Sequence, residues 1–222
     1  MTKEGIRATF DQELKELSDQ VMAMGITVME MIKKSMIAFN KSDEALAQEV
    51  INLDDKVDKF NQDIETKCLQ LLATQQPMAK DLRIIASTMR IISDIERMGD
   101  YMVDVTKFAR RLMGKPKLAS AGDVPKMAEL VEKMLQETLD AISKRDLELI
   151  TKVVEDDENV DAAFRNMFDT ALLEIEKRPL SAREAIYQLF MARYLERVAD
   201  HITNVCERVY YMETGELKEL HV

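Results

Sequence analysis

The scarcity of turn-forming residues constrains this chain more than any other feature of its sequence. Only 6 Gly and 4 Pro are present among 222 residues. β-Sandwiches and α/β folds need turns roughly every 8–12 residues, and so few Gly and Pro cannot supply them. The hydrophobic content of 46% is sufficient for a packed core, which excludes a disordered chain. The sequence therefore predicts a small number of very long helices.

The charge balance excludes several classes of partner. The chain has 41 Asp and Glu against 31 Lys and Arg, a net charge of −10, which argues against nucleic acids and anionic membranes. We expect no direct membrane insertion, because no apolar run reaches the ~17–25 residues of a membrane span, and no signal peptide. Cys68 and Cys206 are far apart and fit reduced core thiols. We therefore expect a cytoplasmic protein that reaches the inner face of the membrane only through partners.

Helix-breaking residues divide the chain into six helical segments. The third segment has an inward arc of Leu82, Ile85, Met89, Ile92 and Val103. Ser42 is predicted to cap the second helix, and Pro77 and Pro179 to open the third and the sixth. Helices of about 33 residues would be about 50 Å long. The first helix shows a heptad stripe, formed by Phe10, Leu14, Leu17, Val21, Met24, Val28 and Met31.

The two halves of the sequence resemble each other. Residues 94–104 match residues 194–204 in order and spacing, and residues 54–58 match residues 157–161. Internal self-similarity of this kind predicts a tandem repeat. We therefore predict an all-α, elongated fold of two tandem three-helix bundles with a pseudo-twofold internal repeat. The expected limits are 1–114 for the first bundle, 115–124 for a linker and 125–222 for the second bundle.

Acidic side chains recur four residues apart beside the apolar stripes, which places them on one helix face. Carboxylates at such a seam repel one another and lose hydration, and a cation would relieve both effects. Hard oxygen ligands suit Mg²⁺, Mn²⁺, Ca²⁺ or iron. The residues predicted to bind one or several metal ions are Asp54, Asp58, Glu96, Asp100 and Asp104 in the first half and Asp157, Asp161, Glu196, Asp200 and Asn204 in the second.

An alternative interpretation treats these carboxylates as ordinary solvated helix surface. Arg97 and Arg197 would then neutralise them as weak surface ion pairs. The acidic columns intrude on the core stripe and recur in both halves, which places the metal interpretation level with the solvated-surface one. His201 is expected to be a simple polar residue. No nucleotide-binding or nucleophile motif is present, so we do not expect an enzyme.

Several motifs resemble the PhoU family of phosphate uptake regulators over nearly the whole chain. They are Asp81-Leu82-Arg83, Glu96-Arg97-Met98-Gly99-Asp100, Glu196-Arg197-Val198-Ala199-Asp200-His201 with Asn204, Glu207-Arg208-Val209 and Thr214-Gly215-Glu216. The resemblance implies two three-helix bundles whose acidic motifs bind metals, with multinuclear iron in some members. Ala199 replaces the usual Gly, and Asn204 stands opposite Asp104. The second site is therefore expected to be the weaker one.

The resemblance also implies a function in phosphate homeostasis. Such a protein would restrain the phosphate-starvation response by contacting the ATPase subunit of the phosphate ABC transporter and a sensor histidine kinase. We also expect a homodimer, formed through an apolar stripe on the first or fourth helix. Two alternatives stay open, a metal-dependent phosphoester hydrolase and a metal-free helical scaffold. The metal is not distinguished among iron, zinc, manganese, magnesium and calcium.

Overall fold

The computed structural model describes residues 3–115, 118 and 123–220, and it confirms the all-α prediction. Within these residues there is no strand, and a short 3₁₀ turn at Pro179–Ser181 precedes the last helix. In the same part of the chain, no helix combines the length and apolar character needed to cross a membrane. The six helices are α1 (Lys3–Lys41), α2 (Glu44–Gln75), α3 (Lys80–Leu112), α4 (Asp123–Lys144), α5 (Leu147–Lys177) and α6 (Ala182–Thr214).

The helices form two three-helix bundles that are packed side by side. The first bundle is α1–α3 and the second is α4–α6, and they meet mainly through α3 and α6. Helices α2, α3, α6 and α5 form one layer in that order, and α1 and α4 pack together behind it. Helices α3 and α6 are antiparallel, since Lys80 at the start of α3 bonds Glu213 at the end of α6 (3.1 Å). The side of the layer opposite α1 and α4 is called the front face below.

The helix caps repeat between the two bundles. The Asp43 carboxylate accepts a hydrogen bond at 3.0 Å from the backbone N–H three residues later, and Asp146 does the same at the start of α5. The residue before each cap, Ser42 or Arg145, has a positive φ of 55° or 54°. The N-cap of α2 is therefore Asp43 and not Ser42, so the prediction is wrong by one residue. Ser42 adopts the left-handed backbone conformation of the turn between α1 and α2.

Buried polar contacts repeat in the same way. The Ser35 hydroxyl lies 2.8 Å from the Thr106 hydroxyl between α1 and α3. The equivalent contact between α4 and α6 joins Thr138 to the Cys206 thiol at 3.4 Å. Both Cys206 and Cys68 are buried free thiols, as the sequence predicts. The pseudo-twofold repeat therefore extends from the backbone to individual core contacts.

Most predicted core positions are buried, and the exceptions are the half-buried Leu14 and Met89 and the exposed Leu82. The α1 stripe is buried except for the half-buried Leu14. Leu82 is 45% exposed, contrary to prediction, because it lies in the first turn of α3 beside the hairpin connection. Pro77 precedes α3 instead of opening it, since α3 begins at Lys80. Pro179 opens the 3₁₀ turn and not α6 itself.

The predicted linker at 115–124 falls mostly outside the described residues. Residues 116, 117 and 119–122 are not described, and Asp123 already belongs to α4. Leu118 is described, and it packs against Ala171 and Ala185 at the end of the second bundle.

Candidate metal centre and docking face

Four carboxylates line the front groove between α2 and α3, and they are called the first acidic group. Asp54 and Asp58 come from α2, and Glu96 and Asp100 come from α3. Gly99 allows this approach, because a Cβ atom at that position would lie only 3.1 Å from Asp54 Oδ1. The helix spacing of four residues and one missing side chain thus bring the carboxylates together.

The negative charges of the first acidic group are unfavourable, because the carboxylates repel one another and are partly buried. Asp54 Oδ1 is buried and makes no hydrogen bond. Burial, followed by the charges of Asp58, Asp100 and Glu96, raises the pKa of Asp54 to about 6. Burial and the charge of Asp100 also raise the pKa of Glu96, and Arg97 opposes that rise. Perturbed carboxyl groups clustered in a groove are candidates for a functional site.

Only one cation neutralises this group within the described part of the chain. The Arg97 guanidinium pairs with Asp100 at 2.8 Å and lies 3.6 Å from a Glu96 oxygen. Its side chain is 58% exposed, and ion pairs of that kind contribute little because water screens them. Four carboxylates therefore share a single, mostly solvated positive charge.

An equivalent second acidic group lies between α5 and α6. It consists of Asp157, Asp161, Glu196 and Asp200, and one oxygen of Asp157 is buried. Burial raises the pKa of Glu196, Arg193 opposes this rise, and Asp200 and Asp161 add to it. The two groups therefore occupy equivalent positions in the two bundles, and in each of them the pKa of the Glu carboxyl is raised.

The second acidic group differs from the first in its arginines. Arg193 pairs with Glu196, Arg197 pairs with Asp200 at 2.9 Å, and Arg165 lies 3.9 Å from Asp161. At the positions equivalent to Arg193 and Arg165, the first bundle has the uncharged residues Ser93 and Gln62. Ala199, at the position of Gly99, is fully buried. The second group is therefore more crowded and already largely neutralised.

The structure gives Asp104 and Asn204 different partners from the other eight predicted ligands. Asp104 pairs with Lys107 at 3.1 Å on the surface of α3. The Asn204 amide donates to Asp94 Oδ1 at 3.4 Å across the α3–α6 contact. Each step of four residues rotates a side chain by about 40° around the helix. The third residue of each column has therefore turned away from its groove.

His201 has a larger structural role than the sequence suggests. Its Nδ1 lies 2.8 Å from Asp94 Oδ1, and its ring packs 5.6 Å from the Tyr101 ring. These contacts join the first bundle to the second. The simple polar role expected from the sequence therefore understates a residue that links the two repeats.

The first acidic group fits a metal ion in donor chemistry. Its ligands are all carboxylate oxygens, as hard cations prefer, and the buried Asp54 oxygen lacks a partner. Gly99 leaves space beside that oxygen. Among the described residues, however, no three His, Cys, Asp or Glu side chains already converge as a formed metal site. The group thus supplies the charge and the donor atoms, in an arrangement that is not preformed.

A row of aromatic rings lies on the front face between the two acidic groups, and it is called the aromatic seam. The chain has 5 Tyr and 7 Phe, and five of these rings are found here. Phe108 and Phe190 stack at 5.0 Å, and Tyr101 and Tyr194 stack at 5.7 Å. Phe190 is 44% exposed. The seam is formed by Tyr101, Phe108, Tyr187, Phe190 and Tyr194.

The aromatic seam has the composition of a protein interface. Arg111 lies over Phe108 at 5.3 Å and over Tyr187 at 5.5 Å. Clustered aromatic residues with Arg are enriched at interface hot spots. The seam is absent from the sequence-based predictions, although the seven-residue spacings of 101/108 and 187/194 place aromatic rings on a face distinct from the core stripe.

The comparison with known families decides what kind of protein this is. The family model described as the PhoU domain matches residues 21–109 and again residues 124–209. The chain belongs to the PhoU family. The two matches fall on the two bundles, which confirms the tandem repeat of PhoU domains.

Relatives of known name support this membership over more than nine tenths of their length. The phosphate-specific transport system accessory protein PhoU homolog of Clostridium acetobutylicum is 34% identical, with 97% of this chain and 99% of the relative covered. The homolog of Rhizobium meliloti is 36% identical, with 97% and 91% covered. The names of both relatives place them in phosphate transport.

Solved PhoU structures confirm the fold. The crystal structure of PhoU from Pseudomonas aeruginosa has a TM-score of 0.89 and 30% identity, and covers 93% of this chain and 100% of its own. The phosphate transport system regulatory protein PhoU from Streptococcus pneumoniae has a TM-score of 0.88 and 31% identity, with 94% and 99% covered. PhoU proteins are accessory and regulatory proteins and not an enzyme family. This confirms the non-enzymatic prediction and removes the hydrolase alternative.

Proposed function

We propose that this PhoU protein is a negative regulator of phosphate uptake and phosphate-starvation signalling that docks through its front face. The observation that carries the proposal is the position of the aromatic seam between the two acidic groups. Exposed aromatic patches of this kind are typical of protein–protein contacts. The relatives are named as accessory proteins of a phosphate transport system, which supports a partner within that system.

The first acidic group is proposed to hold one or more metal ions. Asp54, Asp58, Glu96 and Asp100 would supply the oxygen ligands. A bound cation would supply the positive charge that neutralises their mutual repulsion. The second group would bind metal more weakly, because its arginines already provide positive charge. Iron, manganese, magnesium, calcium and zinc all remain candidates for this metal.

The carboxylates of the first group connect metal binding to docking. Asp54 and Asp58 belong to α2, and Glu96 and Asp100 belong to α3, which also carries Tyr101 and the rest of the first half of the seam. Drawing the four carboxylates together would fix α2 against α3. The seam would then be presented in one shape, which is the regulatory effect that we propose for the metal.

The proposed partners are the ATPase subunit of the phosphate ABC transporter and the sensor histidine kinase. Docking on the ATPase subunit would bring the protein to the cytoplasmic face of the membrane without insertion. Arg111 adds a positive charge to the seam, so the complementary partner surface would combine apolar and acidic side chains. A homodimer that leaves the front face free would be compatible with this arrangement.

Removing two ligands from the first acidic group should lower the metal content of the protein. We expect the double variant Glu96→Gln with Asp100→Asn to lose most of the metal bound by the first bundle, because two of the four charged donors are replaced by neutral ones. Elemental analysis of protein purified without chelators measures this directly. The matched control is Glu196→Gln with Asp200→Asn, which should lose less metal. Equal metal content in the parent and both variants would contradict the proposed site, and absence of metal from all three would favour a metal-free scaffold.

Truncating the exposed ring of the aromatic seam should weaken docking. We expect Phe190→Ala to weaken binding to the ATPase subunit of the phosphate transporter from the same organism. Truncating an interface aromatic costs about 1–2 kcal/mol or more, or roughly tenfold in affinity. Surface plasmon resonance with the purified subunit measures the effect. Ile37→Ala is the control, because Ile37 is 43% exposed on α1, behind the front layer. An unchanged affinity for Phe190→Ala, or an equal loss in both variants, would contradict docking through the seam.

A further inference from the structure

Two arginines occupy the positions that the pseudo-twofold repeat relates to a pair of stacked phenylalanines. Residues of α3 correspond to residues of α6 one hundred positions later, so Phe190 corresponds to Arg90, and Arg208 corresponds to Phe108. At one end of the α3–α6 contact, Phe108 and Phe190 stack at 5.0 Å. At the other end, Arg90 and Arg208 therefore stand opposite each other.

These two arginines line a small polar cavity on the front face. Its volume is about 220 Å³, and it lies apart from both acidic groups and from the aromatic seam. Pockets for drug-sized ligands have roughly 300–1,000 Å³, so this cavity suits an inorganic ion. It is lined by Arg90, Ser93, Asp94, Asn204, Glu207 and Arg208.

Both carboxylates of the cavity accept hydrogen bonds from groups other than the two arginines. Asp94 Oδ1 lies 2.8 Å from His201 Nδ1 and accepts from the Asn204 amide at 3.4 Å. A Glu207 oxygen accepts from the backbone N–H of Leu220 at 2.9 Å. In the part of the chain that the structure describes, neither Arg90 nor Arg208 forms an ion pair with a carboxylate. Two arginines thus line the same small cavity, and neither is paired with a carboxylate in the described part of the chain.

We infer that this cavity binds a small dianionic oxyanion of the phosphate class between Arg90 and Arg208. The guanidinium fork donates paired hydrogen bonds that match the oxygens of such an anion. Ser93 contributes a hydroxyl donor at the same cavity wall. A bound dianion would offset the repulsion between the two arginines and join α3 to α6. The inference goes beyond the proposed function, because it requires neither a metal ion nor a protein partner.

The cavity and the aromatic seam are both formed by helices α3 and α6. The cavity and the aromatic seam lie at opposite ends of the same α3–α6 contact, and His201 connects them, because it bonds Asp94 of the cavity wall and packs against Tyr101 of the seam. An anion that holds these helices together would act on the same interface that presents the seam. Free inorganic phosphate would in this way be sensed by the regulator itself.

Calorimetric titration with inorganic phosphate tests the inference. The protein is first stripped of metal with a chelator and dialysed, so that phosphate bound through metal ions does not contribute. We expect saturable binding with one phosphate per chain, weakening as salt is raised, since the interaction is electrostatic. Sulfate, which has a similar shape and charge, should compete for the site.

Variants assign the binding to the cavity. Arg90→Gln and Arg208→Gln should each weaken phosphate binding at least tenfold. The matched control Arg111→Gln removes an arginine from the aromatic seam and should leave the affinity unchanged. Arg90 is exposed, so Arg90→Gln keeps the test valid if the Arg208 variant fails to fold. Absence of binding at millimolar phosphate, or an unchanged affinity in Arg90→Gln, would overturn the inference. Because the titration uses no metal and no partner, its outcome is independent of the metal-content and docking experiments.

Discussion

Replacing Asp54 by Asn should stabilise the metal-free protein at neutral pH and destabilise the metal-loaded protein. In the folded state the pKa of Asp54 is raised from 3.8 to about 6 by burial and by neighbouring carboxylates. The folded protein therefore binds this proton more tightly than the unfolded chain does. The stability contributed by Asp54 is largest below pH 4 and is lost as the pH rises from about 4 to about 6.

The Asp54→Asn substitution removes the buried negative charge that causes this loss, so the variant gains stability at pH 7 and little near pH 4. Asp54 is only half-buried, and solvent screening limits the expected gain to about 1 kcal/mol. Thermal or urea unfolding in the presence of a chelator at both pH values measures it. A variant that is less stable than the parent at pH 7 without metal would contradict the electrostatic argument.

With metal present, Asp54→Asn should be less stable than the parent instead of more stable. A ligand that binds only the folded state adds about 2.7 kcal/mol at a concentration one hundred times its dissociation constant. For a chain of this size that corresponds to roughly 5–10 °C in Tm. The parent should show such a rise with excess Mn²⁺, and Asp54→Asn should lose most of it. Asp157→Asn is the matched control and should change less in both conditions, because Arg193 and Arg165 lie near its group. An equal Mn²⁺-induced rise in parent and Asp54→Asn would exclude the first acidic group as the metal site.

Replacing Ile95 by Ala should lower the stability of both bundles together. Ile95 is 1% exposed, and truncating a buried Ile to Ala costs about 2–5 kcal/mol through lost burial and a new cavity. Helix α3 contacts α1, α2 and α6, so the cavity weakens the contact between bundles as well as the first bundle. We therefore expect a single unfolding transition, shifted down by roughly 10 °C.

Leu82→Ala provides the control for this experiment. Leu82 lies on the same helix and is 45% exposed, so its loss should change the free energy of unfolding by only about 0.5 kcal/mol. Differential scanning calorimetry separates the two possible behaviours of the chain. Two transitions, of which Ile95→Ala shifts only one, would show that the bundles unfold independently.

Patterns within single segments of the sequence predicted the helices well because helices are local structures. The heptad stripe of α1 depends on spacing within one segment, and the internal repeat depends on the same spacings recurring later in the chain. Leu82 and Ser42 were misplaced because the environment of a helix end depends on what packs around it. Asp104 and Asn204 contact residues outside the acidic groups, since the 40° rotation per four residues accumulates along a column, and their assignment as ligands stays a prediction. Domain limits near 115–124 stay predictions.

The sequence by itself determined the six helices, the PhoU-type repeat and the acidic pairs on their faces, because backbone hydrogen bonding and a period of 3.6 residues are properties of a single segment. Only the tertiary structure decided which faces meet. The antiparallel contact of α3 with α6 brings together residues about one hundred positions apart. It forms the aromatic seam, the Asp94–His201 link and the Arg90–Arg208 cavity. The arginines that distinguish the second acidic group from the first are local in the sequence, because Arg193 and Arg165 pair with carboxylates three and four residues away on their own helices. Packing decided that the carboxylates of α5 and α6 come close enough to affect one another.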